Sequence, residues 1–235
     1  MLLSVSGLHA HYGKSHVLHG VSFDIAAPAI VSLLGRNGSG RSTALKAMMG
    51  LVPPSAGSVR LDGTEIAGLR PYRIARLGLG YVPEEREIFP NLSVAENLEM
   101  GVQPAAAGRP RWRVEDMYGY FPRLLERRDT KAGHLSGGEK QMLTICRSLL
   151  GNPRVLLIDE PTEGLAPKIV DTVTEVILDI CAKGVAVVLV EQKLTIALKI
   201  AHELLVMGHG EIVFRGSPAA FQERPEIRRA WLEVS

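Results

Sequence analysis

The sequence of 235 residues is poor in cysteine, in excess charge and in long apolar runs. Its two cysteines, Cys146 and Cys181, lack CxxC spacing, which favours reduced, buried thiols over a disulfide framework. The longest apolar run, residues 184–190, is too short to span a bilayer, and residues 1–4 lack the features of a signal peptide. These absences predict a soluble, cytosolic protein that can still dock on a membrane partner.

A basic surface for nucleic acid is also not expected, because the net charge is only +2. A group of arginines does make the middle of the chain basic. A nucleic-acid role would require aromatic residues interleaved as a stacking platform, and aromatics make up 5% of the chain, with Trp112 and Tyr118 among those nearby. We therefore interpret the group as a solvated face and expect no nucleic-acid partner. The arginines are Arg109, Arg111, Arg113, Arg123, Arg127 and Arg128.

A glycine-rich segment at residues 35–43 reads GRNGSGRST. It matches the phosphate-binding loop G-x-x-x-x-G-K-[ST], except that Arg41 stands where lysine is expected. An apolar run precedes it and a helix-like run follows it, so the strand–loop–helix context of that motif is present. Glycines let successive N–H groups face one anion, and the helix N-terminus adds its positive dipole end. The segment predicts an ATP site formed by Gly35, Arg36, Asn37, Gly38, Ser39, Gly40, Arg41, Ser42 and Thr43.

Two acids, Asp159 and Glu160, directly follow the apolar residues 155–158. This pattern predicts a buried strand that carries carboxylates at its carboxyl end, where parallel sheets bind ligands. Asp159 is a candidate Mg²⁺ ligand, because this ion prefers oxygen and bridges the β- and γ-phosphates. Glu160 is a candidate general base for the attacking water. The alternative is a strand that ends in solvated acids, and the upstream phosphate loop favours the catalytic interpretation.

A second candidate anion site lies at residues 135–139, which read LSGGE. Ser136 and Glu139 have the spacing of a capping box, so these residues open a helix whose first N–H groups are exposed. One phosphate tail does not need two such sites in one chain. A capped helix after a glycine-rich turn is the alternative for this segment taken alone. The residues concerned are Leu135, Ser136, Gly137, Gly138 and Glu139.

The three motifs, in this order, resemble those of ATP-binding-cassette (ABC) ATPases, whose signature is LSGGQ. The resemblance spans essentially the whole chain and implies the α/β fold of a P-loop NTPase. That fold has a RecA-like core, an N-terminal antiparallel β subdomain and an inserted helical lobe. We expect one nucleotide-binding domain over residues 1–235, with the core at about 1–90 and 152–235 and the helical subdomain at about 91–151.

The resemblance also implies roles for residues outside the three motifs. Tyr12 corresponds to the aromatic residue that stacks on adenine, and residues 163–167 correspond to a loop that crosses the dimer interface. Glu84 corresponds to a glutamine that links the Mg²⁺ site to the transport partner, and Gln192 to a histidine that contacts the γ-phosphate. Each nucleotide lies between the phosphate loop of one subunit and the signature of the other. The implied cofactors are ATP and Mg²⁺, with Ser42, Glu84 and Asp159 at the metal and Glu160 and Gln192 as catalytic residues.

Within that family the chain resembles the smaller ATPase subunit of branched-chain amino acid importers. The strings VPE at residues 82–84, EGLAP at 163–167 and VEQ at 190–192 are usual there, so Arg41 is the departure from the pattern. The implied partners are membrane permease subunits, a second ATPase and, indirectly, an extracytoplasmic binding protein. The implied location is the cytoplasmic face of the bacterial inner membrane. Alternatives are an importer of urea or short amides, a regulatory subunit with little turnover, and a soluble non-transport ATPase.

The coarse pattern is an α/β core interrupted by a helical lobe. Capping boxes at Ser93 and Ser136 open helices in the lobe, and a polar loop is expected between residues 12 and 21. Strands are expected at residues 4–12, 21–25, 58–61, 79–82, 155–158, 185–190, 203–207 and 211–215. Helices are expected at residues 43–49, 168–181 and 194–201, and an exposed loop at 103–111. A metal site at His9, His11, His16 and His19 stays an open alternative that lacks a cysteine or acidic ligand.

Overall fold

The computed structural model describes residues 1–104 and 111–233. Residues 105–110, which include Arg109 and the middle of the loop expected at 103–111, lie outside the described residues. The strands are β1 (Leu3–Tyr12), β2 (Ser15–Ile25), β3 (Ile30–Gly35), β4 (Pro54–Leu61), β5 (Thr64–Glu65), β6 (Leu79–Val82), β7 (Val155–Asp159), β8 (Ala186–Val190), β9 (Glu203–Gly208) and β10 (Glu211–Gly216). They form a four-stranded sheet in the order β2-β1-β4-β5 and a six-stranded sheet in the order β10-β9-β3-β8-β7-β6.

The helices pack against both sheets and make up most of the chain between β6 and β7. They are α1 (Arg41–Met48), α2 (Pro71–Leu77), α3 (Val94–Gly101), α4 (Val114–Tyr120), α5 (Pro122–Glu126), α6 (Gly137–Leu149), α7 (Pro167–Ala182), α8 (Leu194–Ile200), α9 (Pro218–Gln222) and α10 (Pro225–Trp231). A short 3₁₀ turn covers Ala132–His134.

The larger sheet determines where the functional segments meet. Strands β9, β3, β8, β7 and β6 are parallel, and every residue of β7 and β8 is buried, as expected for strands covered on both faces. Strand β8 lies between β3 and β7. The segments that follow these three strands, residues 35–43, 191–192 and 159–160, therefore leave the sheet at the same edge. This edge is the place where open α/β sheets bind ligands.

The smaller sheet corrects one prediction. The polar loop expected between residues 12 and 21 is wrong, because β2 begins at Ser15 and pairs with β1 after a two-residue turn. The segment contains two histidines, His16 and His19, whose side chains are exposed, while Leu18 and Val21 are fully buried. Every second residue is buried only from Val21 to Ile25, so the polar start of the strand gave no alternation signal.

The helical lobe packs around one apolar cluster that includes Leu98, Met117, Phe121 and Leu143. Helix α6 contacts both α3 in the lobe and β6 in the larger sheet, so it joins the two parts. The capping boxes at Ser93 and Ser136 are both confirmed. Both cysteines are free and buried, as predicted.

Outside the predicted helical lobe, three helices were not predicted, namely α2, α9 and α10. Each begins with a proline at its first position, at Pro71, Pro218 and Pro225, and Ser217 caps α9 by accepting from the N–H of Ala220. Proline is favoured there because the first helical N–H has no partner in any case, so this signal could have located them. Helix α10 matters for the site, since Trp231 packs on Gly208 and its neighbours line a pocket next to the phosphate loop.

Candidate nucleotide-binding and catalytic site

The candidate site is a pocket of about 280 Å³ at the carboxyl edge of the larger sheet. Three chain segments that are far apart in sequence build it, namely the loop after β3, the acids after β7 and the turn after β8. The lining residues are Asn37, Gly38, Gly40, Arg41, Ser42, Thr43, Glu84, Glu160, Glu163 and Gln192. Nine of these ten are among the residues that the sequence predicted for the site, while Glu163 was assigned only to the interface loop.

The phosphate loop has the conformation that its glycines require. Gly40 is the N-cap of α1 with φ of 101°, and a Cβ atom there would lie 3.0 Å from Leu18. A Cβ at Gly35 would lie 2.7 Å from the carbonyl oxygen of Met207. The hydroxyl of Ser39 is buried without a hydrogen-bond partner among the described residues. An unpartnered hydroxyl in a glycine-rich loop at a helix N-terminus fits a phosphate oxygen.

Arg41 does not extend into open space but pairs with the catalytic candidate. Its Nη2 lies 3.0 Å from Oε1 of Glu160, and both side chains are about 95% buried, with exposed fractions of 5% and 6%. Nη2 also donates to Oδ1 of Asn37 at 3.1 Å, and Nη1 donates to the carbonyl oxygen of Glu191 at 3.4 Å. The planar guanidinium thus contacts acceptors from three loops through two separate nitrogens, a spacing of donors that the single ammonium nitrogen of lysine does not offer.

Asp159 and Ser42 form the candidate metal position. The hydroxyl of Ser42 donates to Oδ1 of Asp159 at 3.0 Å, and the hydroxyl of Tyr81 donates to Oδ2 at 3.4 Å. Burial, and the nearby Glu84 carboxylate, raise the pKa of Asp159, whereas the bond from Ser42 opposes that rise. The donor set of hydroxyl and carboxylate oxygens fits Mg²⁺. Tyr81 was not predicted as a site residue, although it stands at the same edge on β6.

Glu160 lies in a strained and crowded position. Its backbone has φ of 46°, uncommon for a residue with a side chain, and its N–H donates to the carbonyl oxygen of Val190 at 3.0 Å. The amide of Gln192 donates to its carboxylate. Burial and the adjacent Glu163 carboxyl raise the pKa of Glu160 to about 7, against the opposing effects of Arg41 and Gln192.

The turn after β8 is stabilised by Glu191, which the sequence did not predict as functional. This side chain is 2% exposed and accepts from the hydroxyl of Thr162 at 2.9 Å. It also accepts from the N–H groups of Gln192 and Lys193 at 3.0 and 3.1 Å. Those bonds fix the direction in which Gln192 leaves the strand, so Glu191 is a structural support for the side chain that contacts Glu160.

Glu84 lies in the exposed loop after β6 and faces the same acids. Among the described residues, Glu84, Glu160 and Glu163 are the one group of histidine, cysteine or acidic side chains whose three ligand atoms all lie within 4.8 Å of one another. The predicted metal ligands are therefore divided between two neighbouring places. Ser42 and Asp159 are hydrogen-bonded to each other, while Glu84 stands beside Glu160.

The signature residues form a separate helix N-terminus outside this pocket. Ser136 accepts from the N–H of Glu139 at 3.3 Å, and Glu139 accepts from the N–H of Ser136 at 2.8 Å. Ser136 and Gly137 are exposed, Gly138 is half-buried, and Leu135 is buried beneath them. The guanidinium of Arg86 lies against Gly137 and donates to the carbonyl oxygen of Glu163. Arg86 therefore links the loop after β6 to the signature and to the loop after β7, a connection that the sequence did not predict.

Two N-terminal predictions have different outcomes. Tyr12 ends β1 with 50% of its surface exposed and does not line the pocket, so its assignment to adenine stays a prediction. The four histidines do meet on β1 and β2, but as a stack, with His11 and His16 centroids 4.1 Å apart and planes at 4°. His16 and His19 are tilted by 43°, and no three of these ring nitrogens form a group within 4.8 Å among the described residues, so the geometry gives the metal alternative no support.

A groove of about 950 Å³ lies on the opposite side of the loop after β6, between α2 and the helical lobe. Its walls carry both apolar and charged side chains. They include Leu51, Tyr72, Tyr81, Glu85, Glu87 and Arg147. Phe89 is 44% exposed nearby, and the guanidinium of Arg147 lies 4.8 Å from its ring centre. None of the described helices combines the length and the apolar content needed to cross a bilayer.

Comparison with known proteins places this geometry in a family. The family model described as "ABC transporter" matches residues 18–163. The chain is 40% identical to the high-affinity branched-chain amino acid transport ATP-binding protein BraG of Pseudomonas aeruginosa, covering 98% of this chain and 99% of BraG. It is 34% identical to the probable branched-chain amino acid transport ATP-binding protein LivF of Archaeoglobus fulgidus, covering 99% of each. It is 33% identical to the lipopolysaccharide export ATP-binding protein LptB of Acidithiobacillus ferridurans, covering 98% of this chain and 96% of LptB.

A solved structure supports the same assignment. It is described as an ATP binding subunit of an ABC transporter and superposes with a TM-score of 0.85 at 27% identity, covering 99% of this chain and 96% of the other. The predicted α/β fold class of an ABC ATPase is confirmed by this likeness and by the two sheets. The family match, the full-length relatives and the phosphate-loop geometry lead to one conclusion: the chain belongs to the ABC transporter family, as an ATP-binding subunit with the ATPase activity of that family.

Proposed function

We propose that this chain is one of two unequal ATPase subunits that power an importer of branched-chain amino acids. The observation that carries the substrate class is the 40% identity to BraG over nearly the whole of both chains. The strings VPE, EGLAP and VEQ support the same subgroup. The identity to LptB, an export protein, is lower, at 33% over a similar length, so an export role has less support than import.

The residues of the pocket divide the work of hydrolysis among them. The N–H groups of residues 38–43 would hold the phosphates, and the hydroxyl of Ser42 and the carboxylate of Asp159 would hold Mg²⁺. When bound, this ion neutralises charge that develops on the β- and γ-phosphates. Glu160 accepts a proton from the water that attacks the γ-phosphorus, and Gln192 orients that carboxylate.

The second half of each site comes from a partner ATPase. Ser136, Gly137 and Gly138 present N–H groups and a hydroxyl on an exposed helix end, where the γ-phosphate held by the partner's phosphate loop docks. Closure of the two cassettes on nucleotide and reopening after hydrolysis transmit the motion. We propose that residues about 1–90 and 152–235 move as a core and about 91–151 as the lobe that carries the signature.

The groove beside Phe89 is the proposed seat of the membrane permease. Glu84 faces the catalytic acids on one side of the loop, while Glu85 and Glu87 line the groove on the other. A change at the phosphates can therefore move the groove wall through a loop of a few residues. This docking would locate the chain at the cytoplasmic face of the bacterial inner membrane, with a binding protein acting from the far side.

The test is reconstitution in vesicles with a branched-chain amino acid permease and a second ATPase subunit from the same organism. Binding protein loaded with leucine should stimulate ATP hydrolysis several-fold, whereas urea and acetamide should not. Stimulation by urea or acetamide alone would transfer the proposal to the urea and amide importers. Hydrolysis that responds to no extracytoplasmic binding protein would contradict an import role.

A second candidate function, a regulatory subunit that clamps ATP with little turnover, is favoured by the Arg41–Glu160 pair. Arg41 lies in the phosphate loop and neutralises Glu160, the general base, and such a pairing does not favour fast hydrolysis. The two candidates differ in one measurement. Glu160→Gln lowers phosphate release by the assembled transporter if this site turns over, and leaves it unchanged if this site is only a clamp.

A further inference from the structure

The pocket contains a charge arrangement that opposes its own ligand. Arg41 is the one cationic side chain among the described residues that line it, and it faces the carboxylates of Glu84, Glu160 and Glu163. A triphosphate that enters therefore meets three negative groups and one positive group. Because Arg41 is already bonded to Glu160, even that positive charge is not free to receive the phosphates.

The Arg41–Glu160 pair is held from both sides. Arg41 is fixed by Asn37 in the phosphate loop and by the carbonyl oxygen of Glu191 after β8. Glu160 is fixed by the amide of Gln192. With both partners about 95% buried, each one neutralises a charge that would otherwise be unpaired in the interior. The pair therefore persists until another charged group replaces one of its members.

The phosphate tail of a nucleotide is such a group. Arg41 occupies the position in the phosphate-loop motif whose cationic side chain contacts the β- and γ-phosphates. Nη2 contacts both Oε1 of Glu160 and Oδ1 of Asn37, so its two N–H groups are in use and a phosphate oxygen can take one of them only by displacing an acceptor. Binding of the phosphates and pairing with Glu160 thus compete for one side chain.

We propose that Arg41 and Glu160 form a nucleotide-displaced latch, in which the arriving phosphates take Arg41 from Glu160 and thereby free the carboxylate for catalysis. This inference rests on the proposed function of the pocket as an ATP site and adds a regulation of it. The general base is neutralised while the site is empty and is released only by the substrate. Because nucleotide binding has to break the pair, the intact pair lowers the affinity of the native chain for nucleotide.

The test is a set of affinities for N-methylanthraniloyl-ATP with Mg²⁺, measured by fluorescence on the purified full chain without a permease. Glu160→Gln should tighten binding about tenfold, because Arg41 no longer has to leave a carboxylate. Glu163→Gln is the matched control, since it removes one negative charge from the same pocket and keeps the pair. It should tighten binding by no more than about threefold.

A second comparison separates the latch from simple repulsion between Glu160 and phosphate. In an Arg41→Met background, adding Glu160→Gln should change the affinity by less than about threefold, because no cation remains to be released. A tenfold gain that persists without Arg41 would overturn the latch. An equal gain from Glu163→Gln would overturn it as well.

Thermal unfolding keeps the test valid if an unpaired Arg41 weakens the fold. The empty Glu160→Gln chain should unfold at a lower temperature than the native chain, while saturating Mg-ATP should raise its unfolding temperature by more. A loss of stability with an unchanged or smaller rise on nucleotide would overturn the latch. Absence of binding in every variant would overturn the proposed function and the latch together, whereas equal binding by native chain and Glu160→Gln would overturn the latch alone.

Discussion

The two helix N-termini that face phosphate in the proposed cycle, those of α1 and α6, are built in opposite ways. The start of α1 is filled by the chain's own side chains, with Arg41 buried and paired to Glu160. The start of α6 is exposed, with Ser136 and Gly137 at the surface and the capping box closing only its own first turn.

The N-terminus of α1 is therefore completed within the chain, whereas the N-terminus of α6 needs an external partner. A buried ion pair keeps the α1 end internally satisfied and slow to accept a new ligand. An exposed helix end with free N–H groups attracts an anion from outside. We expect the site that uses this chain's signature to carry most turnover, and the site that uses its phosphate loop to be slower.

The largest expected effect follows a change at the open end. Ser136→Ala should lower ATP hydrolysis by the assembled transporter by one to two orders of magnitude, because it removes a donor aimed at developing charge. Phosphate release in steady state measures it. Ser93→Ala is the matched control, because it removes the same kind of capping box, worth about 1 kcal/mol, from α3. If both substitutions lower activity equally, the effect is one of stability and the comparison fails.

The next effect concerns the groove rather than either helix end. Phe89→Glu should weaken assembly with the permease about tenfold, because a charge replaces an exposed apolar ring near the docking surface. Co-purification with the permease measures the loss, and nucleotide binding should be retained. Leu178→Glu supplies the control, since Leu178 is also a large exposed apolar residue but lies on α7. Normal assembly with lost ATP binding would show that the loop around Phe89 belongs to the nucleotide site.

A smaller effect is expected at the closed end. Glu160→Gln should lower total hydrolysis by no more than about twofold, because only the slower of two sites loses its general base. The same substitution should trap a nucleotide-bound dimer, visible by size-exclusion with Mg-ATP, whereas the chain without nucleotide should elute as a monomer. Complete loss of activity would show that the site built on this chain's phosphate loop is not the slower of the two.

The smallest expected effect is an increase in ATP hydrolysis after a substitution of Arg41 at the N-terminus of α1. Arg41→Lys should raise total hydrolysis by up to about twofold, because a compact ammonium can follow the charge that moves between the β- and γ-phosphates. Initial rates at saturating ATP measure the gain, and Arg41→Ala provides the reference without any cation. Unchanged turnover in Arg41→Lys together with loss in Arg41→Ala would show that arginine is a competent substitute.

Local motifs in this chain were readable because neighbouring residues create them. The strand–loop–helix around residues 35–43, the acids after β7 and both capping boxes depend on spacings of a few residues, and each is present in the structure. Helices α2, α9 and α10 were missed because they are short and marked mainly by a proline at the first position. The start of β2 was missed because its outward residues are polar.

The sequence by itself determined the family, the phosphate loop, the acidic pair and the two helix starts, since each depends on local residue order. Only the tertiary structure decided that Arg41 pairs with Glu160, that Gln192 bonds the same carboxylate and that Arg86 joins the signature to the loop after β7. These contacts depend on strand order, because β8 between β3 and β7 brings three distant loops to one edge. Burial then selects the partner, since a charge removed from water requires the nearest opposite charge, whatever its distance along the chain.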